Sequence, residues 1–218
     1  MIAGFRLFVD GRPAESPPYI ASTLPVVNFL AIVVGYLLGS IDFGVIVPRL
    51  QGVDIYSQGS GNPGTSNVFR TLGTKAAAAV MVGDALKGLL AAAIGATVGG
   101  PAVGAAAGLA AVIGHVFPIW HGFRGGRGVA TAIGAAIWLV PLWGIVLAVG
   151  WAVTVAVTKT ASIASLVAMA LYVPLFLVGG LRGWSVVFAA ATALIVVARH
   201  KANIARIVSG SEQRLDSA

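Results

Sequence analysis

The sequence predicts an all-α membrane protein with about seven transmembrane helices, and two observations support this fold class. Of the 218 residues, 58% are hydrophobic and only 10% are charged, whereas soluble proteins contain about 25% charged residues. Apolar stretches long enough to cross a bilayer also recur along almost the whole chain, and only helices and closed barrels satisfy their backbone in lipid. We therefore expect a multi-pass helical protein without a separate soluble domain.

The predicted domain organisation is an N-terminal extension over residues 1–20 and a single integral-membrane domain over residues 21–218. The apolar patch before Arg6 is too short for a signal-peptide core. With zero cysteines, the chain has neither disulfides nor thiolate metal sites. A net charge of +7 could indicate nucleic acid, but the basic residues are scattered among apolar segments. We interpret them as topology signals and as contacts to an anionic substrate or to lipid headgroups.

Seven apolar segments are the predicted spans, and the charge pattern decides their number. They cover residues 23–47, 75–98, 102–119, 128–140, 143–157, 163–178 and 184–198. If the apolar stretch 128–157 is divided at Pro141 into two spans, the basic loops and the basic tail lie on one side of the membrane. If it is a single helix, the tail lies on the other side. We therefore expect the N-terminus outside, the C-terminus in the cytoplasm, and a short fourth and fifth span that are tilted, kinked or shielded.

Three charged residues lie inside or at the end of predicted spans, where they are costly and often functional. Asp42 lies near the end of the first span, and the alternative is an interfacial carboxylate that faces water. Asp84 and Lys87 are three residues apart, so they share one face of the second span. They form either a structural ion pair or part of a substrate cleft.

A first polar loop, residues 53–70, interrupts the apolar sequence after the first span. Its glycines permit tight turns, and its serines, asparagines and Arg70 supply hydrogen-bond donors. This combination suits a phosphate group. From composition alone, a flexible membrane loop is an equally good interpretation.

Two further polar clusters are predicted on the same face of the membrane. The second polar loop, residues 115–128, carries Arg124 and Arg127 in a glycine-rich turn that leads into a helix, where free N–H groups favour anions. The third polar cluster, residues 199–204, carries Arg199, His200 and Asn203, with Arg199 and Asn203 four apart on one helical face. Convergence of three such clusters indicates an active site.

The motifs together resemble one family, the bacterial membrane acyl-phosphate:glycerol-3-phosphate acyltransferases (PlsY). In chain order they are Gly39-Ser40-Ile41 with Phe43-Gly44, Gly59-Ser60-Gly61-Asn62 with Gly64, Asn67, Arg70 and Leu72-Gly73, Asp84 with Lys87-Gly88, Gly114-His115 with Pro118, Gly125-Gly126-Arg127-Gly128-Val129-Ala130-Thr131, and Arg199-His200 with Asn203-Ile204. The departures are Asp42, Pro63, Thr65-Ser66, and arginines at 124 and 127 where lysines are common. Arginine keeps the charge but changes the geometry of phosphate contact.

The resemblance implies transfer of a fatty acyl group from acyl phosphate to the sn-1 hydroxyl of glycerol 3-phosphate, giving lysophosphatidic acid and phosphate. It implies an enzyme of phospholipid biosynthesis in the bacterial plasma (inner) membrane, with membrane lipids around it, no nucleic-acid partner, and neither a metal nor an organic cofactor. The residues agree, because none of the three histidines is followed five positions later by the aspartate that other glycerolipid acyltransferases use. An acyl phosphate carries an excellent leaving group, so positioning and charge stabilisation are the main needs.

The site residues follow from the motifs matched. The expected catalytic residues are Ser60, Asn67, His200 and Asn203, and the expected phosphate- and substrate-binding residues are Gly59, Gly61, Asn62, Ser66, Arg70, Lys87, His115, Arg124, Arg127 and Arg199. The first polar loop would hold one phosphate and stabilise the reacting carbonyl, while His200 and Asn203 would orient glycerol 3-phosphate. The base is either His200 or the oxygens of the acyl phosphate. His115 either binds substrate or makes a helix-end hydrogen bond that shapes the turn. His121 is interpreted as interfacial.

A membrane transporter of a small phosphorylated or lipid anion is the main alternative, since it could use the same phosphate-binding loops. Many transporters contain internal repeats, and the sequence shows none. A purely structural scaffold would not explain the clustered polar motifs.

Overall fold

The computed structural model describes residues 8–9, 12–13 and 18–216, and within them the regular secondary structure is helical apart from one small ribbon. Strands β1 (Phe8–Val9) and β2 (Arg12–Pro13) pair antiparallel; the rest of the extension predicted before residue 18 lies outside the described residues. The helices are α1 (Pro18–Gly39), α2 (Phe43–Leu50), α3 (Thr65–Val116), α4 (Val129–Leu139), α5 (Pro141–Thr158), α6 (Ala161–Val178), α7 (Trp184–Arg199) and α8 (Lys201–Val208).

Helix α3 contains two breaks, at Gly73 and Gly100, where the backbone leaves helical geometry. At Gly100 the φ angle is 75°, a left-handed conformation that suits glycine, and Pro101 cannot continue the preceding hydrogen-bond ladder. Beyond it the chain reverses, because Gly95 packs against Val103 and Ala107. In a straight helix residues 95 and 107 would lie about 18 Å apart. The predicted turn after the second span is therefore confirmed, and residues 74–99 and 101–116 form an antiparallel pair.

Helices α4 and α5 are also separate and antiparallel, as the division at Pro141 predicted. Pro141 occupies the first position of α5, where its missing N–H costs nothing. The backbone of Gly144 packs directly against that of Ile137, although seven residues of continuous helix would separate them by about 10 Å. The chain therefore turns back at Val140.

Two predicted segments differ from the structure. The first span is interrupted at residues 40–42, so that α1 is followed by the short helix α2. The continuous helical face expected for Arg199 and Asn203 is wrong, because α7 ends at Arg199 and α8 leaves at a bend of 57°. His200 occupies the bend, and Asn203 lies beyond it on α8.

Small residues allow the helices to approach closely. Gly88 packs on the backbone of Thr131, and Gly134 packs on that of Ala85, so residues 74–99 and α4 are in backbone contact. Such small-residue interfaces are typical of membrane helices. On the other side of α4, Tyr172 of α6 is buried and donates a hydrogen bond to the Ala132 carbonyl at 2.9 Å. These contacts fix α4, which leads out of the second polar loop.

The helix ends lie at two faces of the molecule. On one face the tail meets the α5–α6 turn, where Leu215 N–H donates to the Lys159 carbonyl, and the two polar loops meet through Tyr56 and Arg124. On the opposite face, Gly179 packs on Val140 and Trp143. The three polar clusters thus share one face, as predicted.

Four helices among the described residues are long and apolar enough to cross a membrane, or five if the bent α7–α8 pair is one span. One of the four covers 57 residues from Thr65 to His121, far more than the roughly 20 that a bilayer needs. Since it reverses at Gly100, it supplies two passes between the two faces. Helix α4, with 11 residues, is shorter than a usual span.

Candidate active site

An elongated cavity of about 280 Å³ joins a polar end at the loop-bearing face to an apolar part between the helices. The polar end contains residues of all three polar clusters. They are Ser60, Asn62, Gly64, Thr65, Ser66, Asn67, Arg70, Arg127 and His200, together with His115 and Asp84. The apolar part lies between residues 81–85, α4 and α5. The cavity therefore suits a molecule with a charged head and a hydrocarbon chain.

The first polar loop is held in shape by the side chain of Asn67. Its Oδ1 accepts a hydrogen bond from the Ser60 N–H at 3.1 Å, and its Nδ2 donates to the Gln58 carbonyl at 2.9 Å. Gly59 has a φ of 52°, and a Cβ at this position would overlap Asn67 Oδ1. Asn67 is buried, and both of its amide groups serve the loop. Its direct contribution is therefore to position Ser60.

The start of helix α3 faces the polar end of the cavity. Gly64 is its N-cap, Thr65 and Ser66 begin its first turn, and all three line the cavity. The N–H groups of a first helical turn have no intrahelical acceptor and favour an anion. Arg70 lies one turn further along and lines the same cavity, so a guanidinium stands beside these N–H groups.

The second polar loop is fixed against the end of α3 by its glycines. Gly126 N–H donates to the His115 carbonyl at 3.1 Å, and Gly125 N–H donates to the Val116 carbonyl at 3.2 Å. A Cβ at Gly126 would overlap the His115 ring. The loop thus lies tightly on the helix end, which delivers Arg127 to the cavity and begins α4 at Val129.

Arg127 remains a cation in this site. Burial lowers the pKa of Arg127 to about 10, and nearby Glu212 acts in the opposite direction. The side chain is still protonated at neutral pH. The first turn of α4, with Val129 and Ala130, lines the cavity next to it. The polar end therefore combines two helix N-termini and two arginines.

Lys87 forms a buried junction instead of facing the cavity. Its Nζ lies 2.8 Å from Asp84 Oδ1, 2.9 Å from the Ile41 carbonyl and 2.8 Å from His115 Nδ1. Three partners use all three ammonium hydrogens. The structural ion pair of Asp84 with Lys87 is confirmed, and Asp84 and His115 border the cavity. Asp42 is completely buried, so the alternative of a water-facing carboxylate is wrong.

His200 is oriented by its own helix. Its Nδ1 lies 2.7 Å from the Val196 carbonyl, and because a carbonyl only accepts, Nδ1 carries the hydrogen. In the neutral ring, Nε2 then carries the free lone pair. The side chain is buried and lines the cavity, so His200 presents a hydrogen-bond acceptor to a bound molecule.

Asn203 points to the C-terminal tail. Its Nδ2 donates to Glu212 Oε1 at 2.5 Å, Ser162 donates to the same oxygen at 2.7 Å, and Arg206 pairs with Oε2 at 2.7 Å. Burial alone would raise the pKa of Glu212, but these three hydrogen bonds outweigh it and hold the pKa below its usual value. Glu212 therefore joins α6, α8 and the tail.

The predicted site residues divide into two groups. Ser60, Asn62, Ser66, Asn67, Arg70, His115, Arg127 and His200 line the main cavity, and Gly59 lines a neighbouring polar cavity that Arg70 shares. Gly61, Lys87, Arg124, Arg199 and Asn203 are outside the lining of both. Arg124 stacks on the Tyr56 ring at 4.7 Å, and Arg199 donates to the Gly125 carbonyl at 3.3 Å. These two arginines fasten the second polar loop.

Sequence reasoning missed two groups of residues at the site. Glu212 stands in a polar tail without periodicity, so nothing local marks its partners. Trp151 and Ser165 line the apolar part of the cavity and are joined by a hydrogen bond of 3.2 Å. A serine and a tryptophan inside otherwise apolar spans could have indicated this pair, because a buried indole N–H needs a hydrogen-bond acceptor.

Comparison with known proteins assigns the chain to a family. The glycerol-3-phosphate acyltransferase family model matches residues 29–210. The chain belongs to this family. It is 45% identical over 187 residues to the glycerol-3-phosphate acyltransferases of Brucella ovis and Brucella suis, covering 85% of this chain and 92% of each relative. Family membership thus agrees with the resemblance on which the site residues were chosen.

Two solved structures of the glycerol-3-phosphate acyltransferase family have the same fold. Both are crystal structures of PlsY, an integral membrane glycerol 3-phosphate acyltransferase. Each is 35% identical to this chain, and the match covers 86% of this chain and 94% of the PlsY chain. The glycerol 3-phosphate form superposes with a TM-score of 0.82, and the lysophosphatidic acid form with 0.80. Together with the apolar helices, this likeness shows a multi-pass integral membrane protein.

Proposed function

We propose that the chain transfers a fatty acyl group from an acyl phosphate to the sn-1 hydroxyl of glycerol 3-phosphate, releasing lysophosphatidic acid and inorganic phosphate. The observation that carries this proposal is the amphipathic cavity, whose polar end has two helix N-termini, Arg70 and Arg127, and whose other end is apolar. Two phosphates and one acyl chain match these surfaces. The solved PlsY structures are a glycerol 3-phosphate form and a lysophosphatidic acid form, and these two molecules have this chemistry.

Each helix start supports one phosphate. The first turn of α3 with Arg70, and the first turn of α4 with Arg127, each combine free N–H groups with a guanidinium. Lys87 and Arg124, expected to add charge here, are engaged by Asp84 and Tyr56. Ser60 lines the same cavity on the loop that Asn67 holds, and its hydroxyl can donate there to the developing oxyanion of the acyl carbonyl.

The proton of the attacking hydroxyl goes to His200. The hydroxyl oxygen of glycerol 3-phosphate adds to the acyl carbonyl carbon while Nε2 of His200 accepts the proton. The tetrahedral intermediate then breaks its bond to the phosphate oxygen, and phosphate leaves. Since Nδ1–H is held by Val196, the ring offers the correct nitrogen without rearrangement.

The proposal includes a topology and a location. Seven segments pass between the two faces, with the N-terminus outside and the polar clusters on the cytoplasmic face of the bacterial plasma membrane. The acyl phosphate would reach the cavity from the bilayer, and glycerol 3-phosphate from the cytoplasm. The basic residues support this orientation, since cytoplasmic loops are enriched in lysine and arginine.

The decisive experiment is an assay of purified protein in detergent with palmitoyl phosphate and radiolabelled glycerol 3-phosphate. We expect labelled lysophosphatidic acid, and loss of about tenfold or more in kcat/KM for Arg70→Ala and Arg127→Ala, because each removes a charge-assisted hydrogen bond. Lys201→Ala, an exposed basic residue on the same face, is the control and keeps its activity. Product from palmitoyl-coenzyme A but none from palmitoyl phosphate would contradict the proposed donor.

A further inference from the structure

The apolar part of the cavity ends at a definite depth, and its end is built by α4 and α5. Ile137 and Ala148 are the deepest lining residues on these two helices. Ile137 lies about 12 Å along α4 from Val129, and Ala148 lies about 15 Å along α5 from Thr158, at 1.5 Å per residue. This depth is about half of a 30 Å hydrocarbon core.

The chain closes the cavity beneath these two residues. Helix α4 ends just below Ile137, and the turn at Val140 and Pro141 brings Gly144 against the Ile137 backbone. Val140 and Leu147 are buried there in the main hydrophobic core. Ile137 and Ala148 therefore form a floor of the cavity that rests on tightly packed residues. Deepening the cavity there would require core residues to move.

The two side walls of the apolar part differ in how tightly their residues are held. Trp151, one turn above Ala148, is fixed by its hydrogen bond to Ser165 at 3.2 Å. On the other side, Met81 and Val82 line the cavity but remain 39% and 54% exposed. This exposed side faces the lipid, so a hydrocarbon chain can enter sideways while its end meets the floor.

We propose that Ile137 and Ala148 set the length of the acyl chain that the enzyme transfers. The inference rests on the proposed function and adds to it the residues that select among donors. The acyl chain runs from the reacting carbonyl at the polar end past the Trp151 ring, and its terminal methyl contacts the floor. Donors that reach the floor gain contact area, whereas longer ones must bend out toward the lipid.

The test compares decanoyl, myristoyl, palmitoyl and stearoyl phosphate as competing donors with glycerol 3-phosphate as acceptor. Ala148→Phe raises the floor, so we expect the preference for a shorter donor over a longer one to rise about tenfold, the effect of one misfit methylene or more in an apolar pocket. Ile137→Ala lowers the floor and shifts the preference toward longer donors. Opposite shifts from the two variants are the expected result, and Ala148→Leu serves if the phenylalanine variant fails to fold.

Val149→Phe is the matched control, because Val149 is adjacent in α5, is 55% exposed and lies outside the cavity lining. It places the same phenylalanine ring toward the lipid and leaves the donor profile unchanged. A flat donor profile, or profiles of the floor variants that equal the unsubstituted one, would overturn the inference while the enzyme stays active. Absence of product from every donor in the unsubstituted protein would instead refute the proposed function.

Discussion

Arg124 and Arg127 show that charge alone does not assign a role to a residue in this loop. Both were expected to bind phosphate, and they are only three positions apart. Arg124 is exposed and stacks on the Tyr56 ring, while Arg127 lines the cavity beside the start of α4. Gly125 and Gly126 lie between them and follow the end of α3 closely, so the two side chains leave the loop in different directions.

At His200, the decisive feature is the nitrogen that remains free. His200→Gln keeps a polar side chain of similar reach but removes the basic nitrogen. We expect kcat to fall by about 100-fold, the usual contribution of a general base, with a smaller change in KM. Steady-state kinetics with palmitoyl phosphate measure both.

His121→Gln is the control for this substitution, since His121 lies outside the cavity lining and its loss leaves kcat unchanged. Turnover of His200→Gln equal to that of the unsubstituted enzyme would eliminate His200 as an obligatory base. The proton would then pass to an oxygen of the acyl phosphate.

At the scale of elements, the second polar loop depends on its close approach to α3. Gly126→Ala places a methyl group against the His115 ring, so the loop must move away and Arg127 moves with it. We expect KM for glycerol 3-phosphate to rise about tenfold, because a misplaced arginine loses a charge-assisted hydrogen bond. Gly150→Ala on α5 meets no neighbour and, as a helix-favouring control, leaves KM unchanged. Equal KM values in the two variants would contradict this account of the loop.

The C-terminal tail is a second element whose position depends on one side chain. The pKa of Glu212 is depressed in the folded protein, so its contribution to stability is complete above its ordinary value of 4.5 and is lost as the pH falls through the folded value. We expect the tail to become accessible to pepsin as the pH falls below 4.5, once pepsin's own pH dependence is corrected with an unfolded peptide.

Glu212→Gln removes the charge of this interaction at neutral pH, at a cost of about 1–2 kcal/mol, and makes trypsin cleavage after Arg206 faster at neutral pH than in the unsubstituted protein. Asp216→Asn alters an exposed carboxylate further along the tail and is the control. A cleavage rate of Glu212→Gln that matches the control would show that the tail is held by other contacts.

Local sequence could predict the turns that glycine and proline make, but not those made by tertiary contacts. Gly100-Pro101 and Pro141 each mark a turn in the sequence, and the structure has a turn at both places. The bend at His200 lies in a stretch from Val196 to Ile204 with neither glycine nor proline. Asn203 was therefore placed on the wrong helical face, and its partner Glu212 could not be inferred from periodicity. Likewise the i,i+3 spacing identified the Asp84–Lys87 pair, while its third member, His115, required the fold.

At the scale of the whole molecule, the distribution of charge separates the two faces. The face with the polar clusters carries the exposed, half-buried or cavity-lining basic residues Arg49, Arg70, Lys75, Arg124, Arg127, Lys159, Arg199, Lys201, Arg206 and Arg214. The described part of the opposite face carries Arg182 in the α6–α7 turn. This asymmetry is a strong orienting signal, and in the proposed orientation the polar end of the cavity faces the cytoplasm.

The complete absence of cysteine makes this topology directly measurable. Single cysteines at Leu142 and Trp184, which are 64% and 68% exposed at the face opposite to the polar clusters, are expected to react with a membrane-impermeant maleimide in intact cells. Cysteines at Gln51 and Ser211, exposed on the other face, are expected to react only after permeabilisation. The unsubstituted chain gives no label and is the control. Labelling at Leu142 decides the number of spans, because the predicted spans 128–140 and 143–157 on either side of it are the shortest consecutive pair of the seven. If Leu142→Cys stays unlabelled in intact cells while Trp184→Cys reacts, α4 and α5 form a re-entrant hairpin and the protein crosses the membrane five times. If Gln51→Cys reacts instead of Trp184→Cys, the orientation is reversed, and glycerol 3-phosphate from the cytoplasm could not reach Arg127.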